Sequence, residues 1–597
     1  MTEENDLKQI PYGVSDFDDF RKNNLYYVDK TRYIRHIEEK GKYLFFIRPR
    51  RFGKSLFLGI MEAYYDIALK DHFDYFFSGT EIHRNPTKEK NSYLVFTLDF
   101  SQVYPESSKM EQSFLSYIRE SASGFIMKYH ELLNVDIDKT NAEFNSKENA
   151  SDVMVTLLKH CKNNKRKLYV IIDEYDNFTN TILSTAGEQV YRGITHGEGF
   201  FRSFFNVLKG GTSRLNAPIS RLFMTGVSPI TLDDVTSGFN IGTNISLDPD
   251  INEMLGFTHT DVETMIEYYG QTGKIRHTTA EILEIMSTWY NHYRFSRSFR
   301  HKMFNPVLVL YFLERYLSCG EIPEPLIDRN ARIDYDKLRH LIIIDKKGVL
   351  QTNGNFSILQ RIIETGSIHS TIETGFPIAE LGNPNNFISL LYYFGLLTIR
   401  EINDENTPVL TIPNETIKRL YYDYLSDSYR ETGILSLDML KYSELVNGMA
   451  YRGNWQALIE YIAGRMEASL SLRDLMSGEK AHQVFWNVYL GLGALYNVYP
   501  EKELNQGFAD LVLVPLSIQY PGIKYSYLVE FKYIKPSEDE KDNAQEVIKK
   551  LRDEAESQLN RYSADEKFKK AIGHTTLKKL VLIFSGHRLV YQGEVNR

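Results

Sequence analysis

Hydrophobic residues in the first part of the chain follow two spacings in turn, and these predict alternating strands and helices. Continuous apolar runs, typical of buried strands, lie at 43–47, 92–100, 167–172 and 220–228. Apolar positions at helical spacing predict helices at 31–39, 56–65, 110–133, 150–162 and 200–209. Strands that alternate with helices indicate an α/β fold with a parallel, doubly wound sheet.

The loop after the first strand carries candidate chemistry. It reads Arg48-Pro-Arg-Arg-Phe-Gly-Lys-Ser55 and leads directly into a helix. Gly53, Lys54 and Ser55 form the second half of a phosphate-binding loop, in which backbone N–H groups and the helix dipole face an anion. Lys54 would then reach the terminal phosphates of a nucleotide, and the Ser55 hydroxyl would hold a magnesium ion.

The first half of this loop departs from the usual pattern, because Arg48 stands where a glycine normally begins it. Two readings remain open. Arg48, Arg50 and Arg51 add contacts to phosphate, with Arg51 assigned to the nucleotide site, or the loop folds differently around the nucleotide.

Two later strands end in polar residues that suit the same site. Asp173 would bind magnesium through water, and Glu174 would orient and deprotonate the attacking water. Ligands bind at the carboxyl ends of parallel strands, so Thr225 and Ser228 are predicted to sense the terminal phosphate. The alternative for Thr225 to Ser228 is a strand followed by an ordinary glycine turn.

Two further assignments around the nucleotide stay open. Tyr27 or Asp29 lies near the adenine base, or both belong to a packed N-terminal arm. The sequence gives no ground for choosing among four candidates for an arginine finger, which are Arg192, Arg202, Arg214 and Arg221.

Composition limits the class of protein. A chain of 597 residues predicts about two to four domains, and 42% hydrophobic with 25% charged residues is ordinary for a globular protein. A formal charge of -8 argues against a uniformly basic surface for nucleic acid, although it allows a local basic groove. Two distant cysteines, a polar N-terminus and no run long enough for a bilayer predict a soluble, intracellular, cytoplasmic protein without a membrane partner.

Beyond Gly242 the pattern becomes helical, with helices predicted at 260–269, 279–290, 306–317 and onward to about 440. This region is interpreted as the lid and helical linker of the nucleotide-binding domain. The aromatic stretch 289–295 could stack on nucleic-acid bases, but a core seam between helices is favoured because aromatic side chains bury large areas.

The C-terminal region contains a second candidate site. A helix at 478–490 begins with Glu479, and strands at 507–515 and 524–533 flank a turn at 520–522. Asp510 and Glu530 are equally far from the turn, so an antiparallel hairpin brings their carboxylates side by side. Lys532 shares a strand face with Glu530 while Phe531 packs behind.

These residue types fit a metal-dependent phosphodiesterase. Asp510 and Glu530, with the main-chain carbonyl of Phe531, offer hard oxygen ligands to Mg²⁺, and Glu479 is an additional ligand or a supporting group. Lys532 would position or activate water. Five lysines near the C-terminus either track a phosphate backbone or form a solvated helix end, and these are Lys567, Lys569, Lys570, Lys578 and Lys579.

Several motifs together resemble the predicted AAA-ATPase-like family, whose members commonly carry a C-terminal nuclease domain of the PD-(D/E)XK superfamily. The resemblance rests on the segments 10–13, 27–31, 48–55, 173–176 and 225–229, and on Asp510 with the Glu-x-Lys at 530–532. In that family the first loop glycine is normally missing. The resemblance implies an ATP-binding module, and it implies that Gln558 and Tyr562 lie next to the nuclease site. Phe508 replaces the arginine of the family's Gly-Arg-x-Asp, which weakens phosphate contacts.

The sequence therefore predicts three regions: an AAA-like P-loop ATPase domain at 1–245, a helical lid and linker at 246–435, and a restriction-endonuclease-like α/β domain at 436–597. The predicted function is an ATP-binding protein coupled to a Mg²⁺-dependent nuclease, with nucleic acid as partner and DNA favoured over RNA. Homo-oligomerisation is left open. The alternatives are a nucleotide-dependent switch or scaffold that recognises nucleic acid or protein without cleaving, and an ATPase with only protein partners.

Overall fold

The chain forms two compact units. The computed structural model describes residues 7–104, 109–213, 215–230, 234, 242–298, 301–328, 354–431, 437–468, 479–493, 495–504, 507–535 and 544–595. One unit comprises Met1–Ile342 with His369–Pro413, and the other comprises Ile343–Ile368 with Asn414–Arg597. The predicted lid and linker region at 246–435 contributes residues to both units.

The strands, in chain order, are β1 (Tyr43–Ile47), β2 (Leu94–Asp99), β3 (Leu168–Asp173), β4 (Ile219–Gly226), β5 (Thr243–Asn244), β6 (Ser367–His369), β7 (Thr398–Ile402), β8 (Pro408–Thr411), β9 (Tyr496–Leu504), β10 (Gly507–Pro515), β11 (Tyr525–Ile534), β12 (Thr576–Ser585) and β13 (Arg588–Glu594).

The α-helices with bounds in the described residues are α1 (Phe17–Lys22), α2 (Tyr33–Lys40), α3 (Lys54–Tyr65), α4 (Phe73–Phe77), α5 (Glu81–Arg84), α6 (Met110–Leu133), α7 (Ile137–Asn145), α8 (Ala150–Asn163), α9 (Asn177–Thr185), α10 (Glu188–Thr195), α11 (Phe200–Gly210), α12 (His259–Gly270), α13 (Thr279–Tyr290), α14 (Pro306–Cys319), α15 (Gly354–Thr365), α16 (Pro384–Tyr393), α17 (Glu415–Glu431), α18 (Met439–Arg452), α19 (Trp455–Glu467), α20 (Glu479–Gly491), α21 (Ala544–Tyr562) and α22 (Glu566–Ile572). Short 3₁₀ helices lie at Ile67–His72, Phe100–Gln102, Pro249–Ile251 and Ile378–Glu380.

The first unit is built on a parallel five-stranded sheet in the order β2-β3-β4-β1-β5. All six residues of β3 are buried, as expected for a strand covered on both faces. Asp99 and Asp173 are register partners at the carboxyl ends of β2 and β3. This confirms the predicted parallel α/β fold and places the ends of three strands beside the loop that follows β1.

The remainder of the first unit is mainly helical, as the sequence predicts for residues beyond 242. Thr258 and Thr278 form capping boxes with Asp261 and Glu281, which fixes the starts of α12 and α13. The prediction of helices throughout to about residue 440 is wrong for two segments. β6 is a strand, and β7 and β8 pair as an antiparallel hairpin. The aromatic stretch 289–295 belongs to the core: Tyr293 and Phe295 are buried and contact Phe52 edge-on.

The second unit is built on a mixed sheet in the order β13-β12-β11-β10-β9. β11 and β12 are parallel, and the other neighbouring pairs are antiparallel. Residues of α21 and α22 form an apolar core with side chains from β10, β11 and β12, including Leu559, Phe568 and Val581. This sheet with flanking helices confirms the predicted C-terminal α/β domain.

The β10–β11 hairpin has the register that the symmetry about residue 520 predicts. Leu511 pairs with Val529, and Val512 pairs with Leu528. Continued by one residue, the same register sets Asp510 opposite Glu530. In the part of the chain that the structure describes, no helix has the length and apolar character needed to cross a bilayer.

Candidate functional site

The loop after β1 borders a cavity of about 580 Å³ in the first unit. Gly53, with φ of 92°, begins α3 in a left-handed conformation that glycine adopts readily. The walls combine a polar end near the loop and an apolar end, and they include Lys54, Asp173, Glu174, Tyr27, Leu255 and Leu310. A polar end at a helix start and an apolar end suit the phosphates and the base of a nucleotide.

Four predicted site residues come together at the polar end. The Ser55 hydroxyl donates to Asp173 Oδ2 over 2.6 Å, and Lys54 Nζ lies 3.9 Å from Glu174 Oε1. Lys54 also donates to the loop carbonyls of Arg48 and Pro49. A hydroxyl and a carboxylate that touch each other beside a lysine fit the ligand set for a magnesium ion and nucleotide phosphates.

Burial sets the protonation of this cluster. It raises the pKa of Asp173 to about 6, against the hydrogen bond from Ser55, which favours the ionised form. The neighbouring Glu174 charge raises this pKa further. The charge of Lys54 opposes these shifts, and a cation bound at Asp173 would likewise favour its ionised form.

Arg48 does not contribute to the phosphate site, which settles one of the two readings of the missing glycine. Its guanidinium is 1% exposed and lies between the rings of Phe46 and Phe295, 4.3 and 4.4 Å from their centroids. It donates to the carbonyls of Ile47, Ser246 and Ile251 over 2.9, 2.7 and 3.4 Å. The loop therefore folds differently, with Arg48 as an internal clamp.

The next two arginines do line the cavity. Arg51 has φ of 66°, and its Nη1 lies 3.5 Å from Asp328 Oδ2. Arg50 and Arg51 thus border the same cavity as Lys54, whereas Arg48 does not.

Thr225 and Ser228 do not border the cavity, so the structure does not place them as phosphate sensors. The Thr225 hydroxyl is buried and donates to the carbonyl of Phe46. Ser228 is buried, and its main-chain N–H donates to Asp176 Oδ2. Their positions fit the alternative of a strand followed by a structural turn.

Asp176 is a buried residue to which the sequence analysis gave no role. Its carboxylate also accepts from the N–H of Val227 and from Asn180 Nδ2. Gly226 is required next to it, because an added Cβ would lie 2.4 Å from Asp176 Oδ1. Asp176 ties the end of β4 to the residues after β3, and a Gly within a run of apolar residues is the only sequence signal for this contact.

The two N-terminal candidates for the adenine site, Tyr27 and Asp29, differ in where their side chains lie. Tyr27 lines the cavity, whereas Asp29 does not and instead accepts from the N–H groups of Thr31 and Glu81. Asp29 therefore fits the packed-arm reading.

Two of the arginine-finger candidates have partners in the chain. Arg221 is buried and forms an ion pair with Glu89, and Arg192 pairs with Glu188 over 2.7 Å. Arg202 is half-buried on α11, and Arg214 lies outside the described residues.

The second unit brings Asp510, Glu530 and Lys532 together at the start of β10 and the end of β11. Glu530 is 1% exposed, and its Oε1 accepts from Lys532 Nζ over 3.0 Å. Asp510 Oδ2 accepts from the main-chain N–H of Phe531 over 2.7 Å. The hairpin thus joins both carboxylates and the amine, as its register predicts.

Gln483 is a site residue that sequence reasoning missed. It is buried on α20, and its Nε2 donates to Asp510 Oδ1 over 2.7 Å. The signal was available: Gln483 lies four residues after Glu479, so both belong to one face of the helix. The Asp510 carboxylate therefore accepts one hydrogen bond from α20 and one from β11.

The electrostatics of this site are dominated by burial. Burial and the charge of Glu530 raise the pKa of Asp510 well above the usual range for an aspartate. Burial likewise raises the pKa of Glu530, and Lys532 opposes this shift. The negative charge of Glu479 acts to raise the pKa of Asp510, Glu530 and Lys532.

The carboxylates fit a divalent cation in part. Glu530 Oε2 is buried and accepts no hydrogen bond among the described residues, so it is available as a hard oxygen ligand beside Asp510. However, no group of three or more His, Cys, Asp or Glu side chains in the described ranges is arranged to hold a metal. The predicted third ligand, Glu479, therefore lies near enough to influence the pair but is not gathered with it.

Other residues around the second site are only partly placed as predicted. Gln558 and Tyr562 lie on α21, and Gln558 Oε1 is buried without a partner in the described structure. The five lysines belong to two elements. Lys578 and Lys579 lie on β12, where they contact Glu594 and Asn560. The other three are exposed on α22, and they are Lys567, Lys569 and Lys570.

Comparisons with known proteins match both halves of this description. The family model for Predicted AAA-ATPase matches residues 11–236, and the model for the PD-(D/E)XK nuclease superfamily matches residues 477–594. The chain is also 26% identical over 259 residues to a protein of Azotobacter chroococcum mcd 1 described as "Uncharacterized protein in vnfD 5'region". That match covers 43% of this chain and 45% of the relative, so the chain spans about half the length of the relative. The motifs and the family models thus agree on one architecture, a Predicted AAA-ATPase region followed by a PD-(D/E)XK nuclease superfamily domain.

Proposed function

We propose that this protein binds ATP through its first unit and cleaves nucleic acid through a metal-dependent phosphodiester hydrolysis in its second unit. The observation that carries the nuclease half is the buried pair Asp510 and Glu530, with Lys532 bonded to Glu530 and Glu530 Oε2 without a partner among the described residues. Burying two ionised carboxylates beside a single amine costs free energy unless a further cation balances their charge. This supports a divalent metal ion bound between Asp510 and Glu530.

Each residue of the second unit has a role in this proposal. Asp510 and Glu530 would hold Mg²⁺, which when bound polarises the scissile phosphate. Gln483 and the N–H of Phe531 orient the Asp510 carboxylate. Lys532, which is hydrogen-bonded to Glu530, would position the attacking water and stabilise the negative charge that develops on the phosphate.

The ATP half rests on the loop and the ends of β1 and β3. Lys54 would leave the loop carbonyls to contact the terminal phosphates, and Ser55 and Asp173 would share the magnesium ion. Glu174 lies beside Lys54 and would orient water for hydrolysis. Arg50 and Arg51 replace the contacts that a glycine-rich loop start would give.

A cleavage assay with matched variants tests both halves. We expect the wild-type protein to cut DNA or RNA in Mg²⁺, and Glu530→Gln and Lys532→Ala to lose cleavage while they still bind ATP. Lys54→Ala is expected to lose ATP binding. DNA is the first substrate to test, with single strands and duplexes in parallel.

An exposed residue of the same unit provides the control. Lys549→Ala alters an exposed lysine on α21 and should cleave like wild type. Cleavage that survives in Glu530→Gln would contradict the nuclease proposal and leave the ATP-binding proposal standing.

A second candidate function is a nucleotide-dependent switch whose C-terminal unit recognises nucleic acid without cutting it. One observation favours it: both oxygens of Asp510 already accept hydrogen bonds, from Gln483 and from Phe531. Under this alternative, wild type and Glu530→Gln would bind nucleic acid equally, and neither would cleave it in Mg²⁺ or Mn²⁺.

A further inference from the structure

Phe508 is an exposed aromatic side chain close to the carboxylate pair. It lies on β10, two residues before Asp510, and 60% of its surface is accessible. Large apolar side chains in strands are normally packed against other residues. The residues on both sides of Phe508 are packed in this way. An added Cβ on Gly507 would lie 2.6 Å from the Tyr562 ring, and Ala509 is fully buried in the core that includes Leu559.

The direction of the ring follows from strand geometry. Successive side chains of a strand point to opposite faces, and Gly507 and Ala509 face α21. Phe508 therefore projects from the other face of the strand. Asp510, two residues further along β10, accepts its hydrogen bond from Gln483 of α20. The exposed ring and the residue that carries the carboxylate are thus separated by about 7 Å along the strand.

The charge next to the ring decides which part of a nucleic acid it suits. Glu503, an exposed acid on β9, is the direct cross-strand partner of Phe508. A carboxylate at this position repels phosphate, and Phe508 has no donor for a phosphate oxygen. A base has a neutral π-face, and stacking on a protein aromatic is favourable for any base that is not already paired and stacked in a duplex.

We propose that Phe508 is a stacking platform for an unpaired base adjacent to the scissile phosphate, so that the substrate class is nucleic acid with an unpaired nucleotide at the cleavage position. The inference rests on the proposed nuclease function and narrows it. A continuous duplex offers no exposed base face at that point, whereas single strands, frayed ends and flaps do.

The test measures binding to two probes in the cleavage-deficient Glu530→Gln background of the full chain. The probes are a short fluorescein-labelled single-stranded DNA and the blunt duplex of the same sequence, and the readout is fluorescence anisotropy. Adding Phe508→Ala should weaken single-strand binding by roughly 5- to 100-fold and change duplex binding by less than about twofold. Phe508→Trp should restore single-strand binding, because it restores the ring.

Two further measurements separate stacking from other effects. The slope of log Kd against log salt should be unchanged in Phe508→Ala, since no phosphate contact is removed. Leu440→Ala, at an 81% exposed apolar residue of α18, should leave both affinities unchanged and controls for general loss of apolar surface.

The outcomes distinguish this inference from the function on which it rests. If the Glu530→Gln protein binds both probes and Phe508→Ala weakens them equally or not at all, the stacking inference fails alone. If the Glu530→Gln protein binds neither probe, both the nucleic-acid function and the stacking inference fail.

Discussion

Arg48 shows how one residue changes a familiar loop. Where a phosphate-binding loop usually starts with a glycine, this chain has a cation buried between two aromatic rings that donates to three main-chain carbonyls. Burial lowers its pKa to about 10, so the group still carries its charge at neutral pH. The loop is therefore attached to residues 246–251 and to Phe295 through a side chain of its own.

Arg48→Ala should lower the free energy of unfolding of the first unit by about 2–4 kcal/mol, because it leaves buried carbonyls without donors. Chemical denaturation followed by tryptophan and tyrosine fluorescence measures the change. Arg297→Ala, at an exposed arginine, is the control and should shift stability by no more than about 0.5 kcal/mol. An equal shift for both variants would contradict the clamp.

Gln483→Ala should reduce metal-dependent cleavage by about 10- to 100-fold, because Asp510 would lose the amide that orients it. The Mg²⁺ concentration that gives the half-maximal rate should also rise. A general loss of stability would lower the amount of folded protein but would not change this concentration. Gln545→Ala, at an exposed glutamine of α21, serves as the control. A reduced rate with unchanged Mg²⁺ dependence would argue against the orienting role.

At the scale of single elements, α20 is a helix whose buried face carries polar side chains. His482 stacks on Phe584, with ring centroids 3.9 Å apart, and its Nε2 lies 2.8 Å from the carbonyl oxygen of Gly586. Burial lowers its pKa to about 4. The folded state therefore binds fewer protons than the unfolded state between this value and about pH 6.5.

The sign of the pH effect follows directly. As pH falls from about 6.5 to 4, His482 should reduce the free energy of unfolding by about 1.4 kcal/mol per pH unit, and it should have no effect above this window. His482→Phe keeps the ring and should remove this part of the pH dependence. Denaturation at several pH values measures the difference, with His574→Gln, at an exposed histidine, as control. Parallel pH profiles for wild type and His482→Phe would contradict the assignment.

Elements with strong local patterns could be predicted from the sequence. The bounds of α6 and α13 follow from apolar spacing, and a capping box at Thr278 marks the start of α13. The β10–β11 register follows from symmetry about one turn. The sequence did not predict β9, because Pro500 and several charged residues interrupt its apolar pattern. A proline is tolerated there because β9 is an edge strand. β12 was missed because Lys578 and Lys579 suggested a solvated segment.

The sites could be predicted only where they follow from a motif. Lys54, Ser55 and Asp173 are next to one another because strand ends of a parallel sheet meet. The position of Arg48 depends on Phe295, and the bond from Gln483 to Asp510 joins a helix to a strand. Such contacts between distant segments leave no periodic signal in the sequence.

At the scale of the whole molecule, the proposed ATP site belongs to one compact unit and the carboxylate site to the other. If ATP controls cleavage, the ratio of cleavage rates with and without ATP should differ from one in wild type. In Lys54→Ala this ratio should fall to about one, whereas Lys70→Ala, at an exposed lysine of the first unit, should keep the wild-type ratio. A ratio of one in wild type would mean that the two units work independently.

Hydrogen bonds from within the chain already position both carboxylates of the second unit: Gln483 and the N–H of Phe531 donate to Asp510, and Lys532 donates to Oε1 of Glu530. In small zinc domains the ion supplies the folding energy, so removing it unfolds them. Here dialysis against EDTA should abolish cleavage and leave the melting temperature within about 1–2 °C, since a cation adds only its own binding energy. Restoring Mg²⁺ should then restore activity at once, without refolding. Under the proposed nuclease function, the second unit would therefore be a catalyst that can be stored in an inert form.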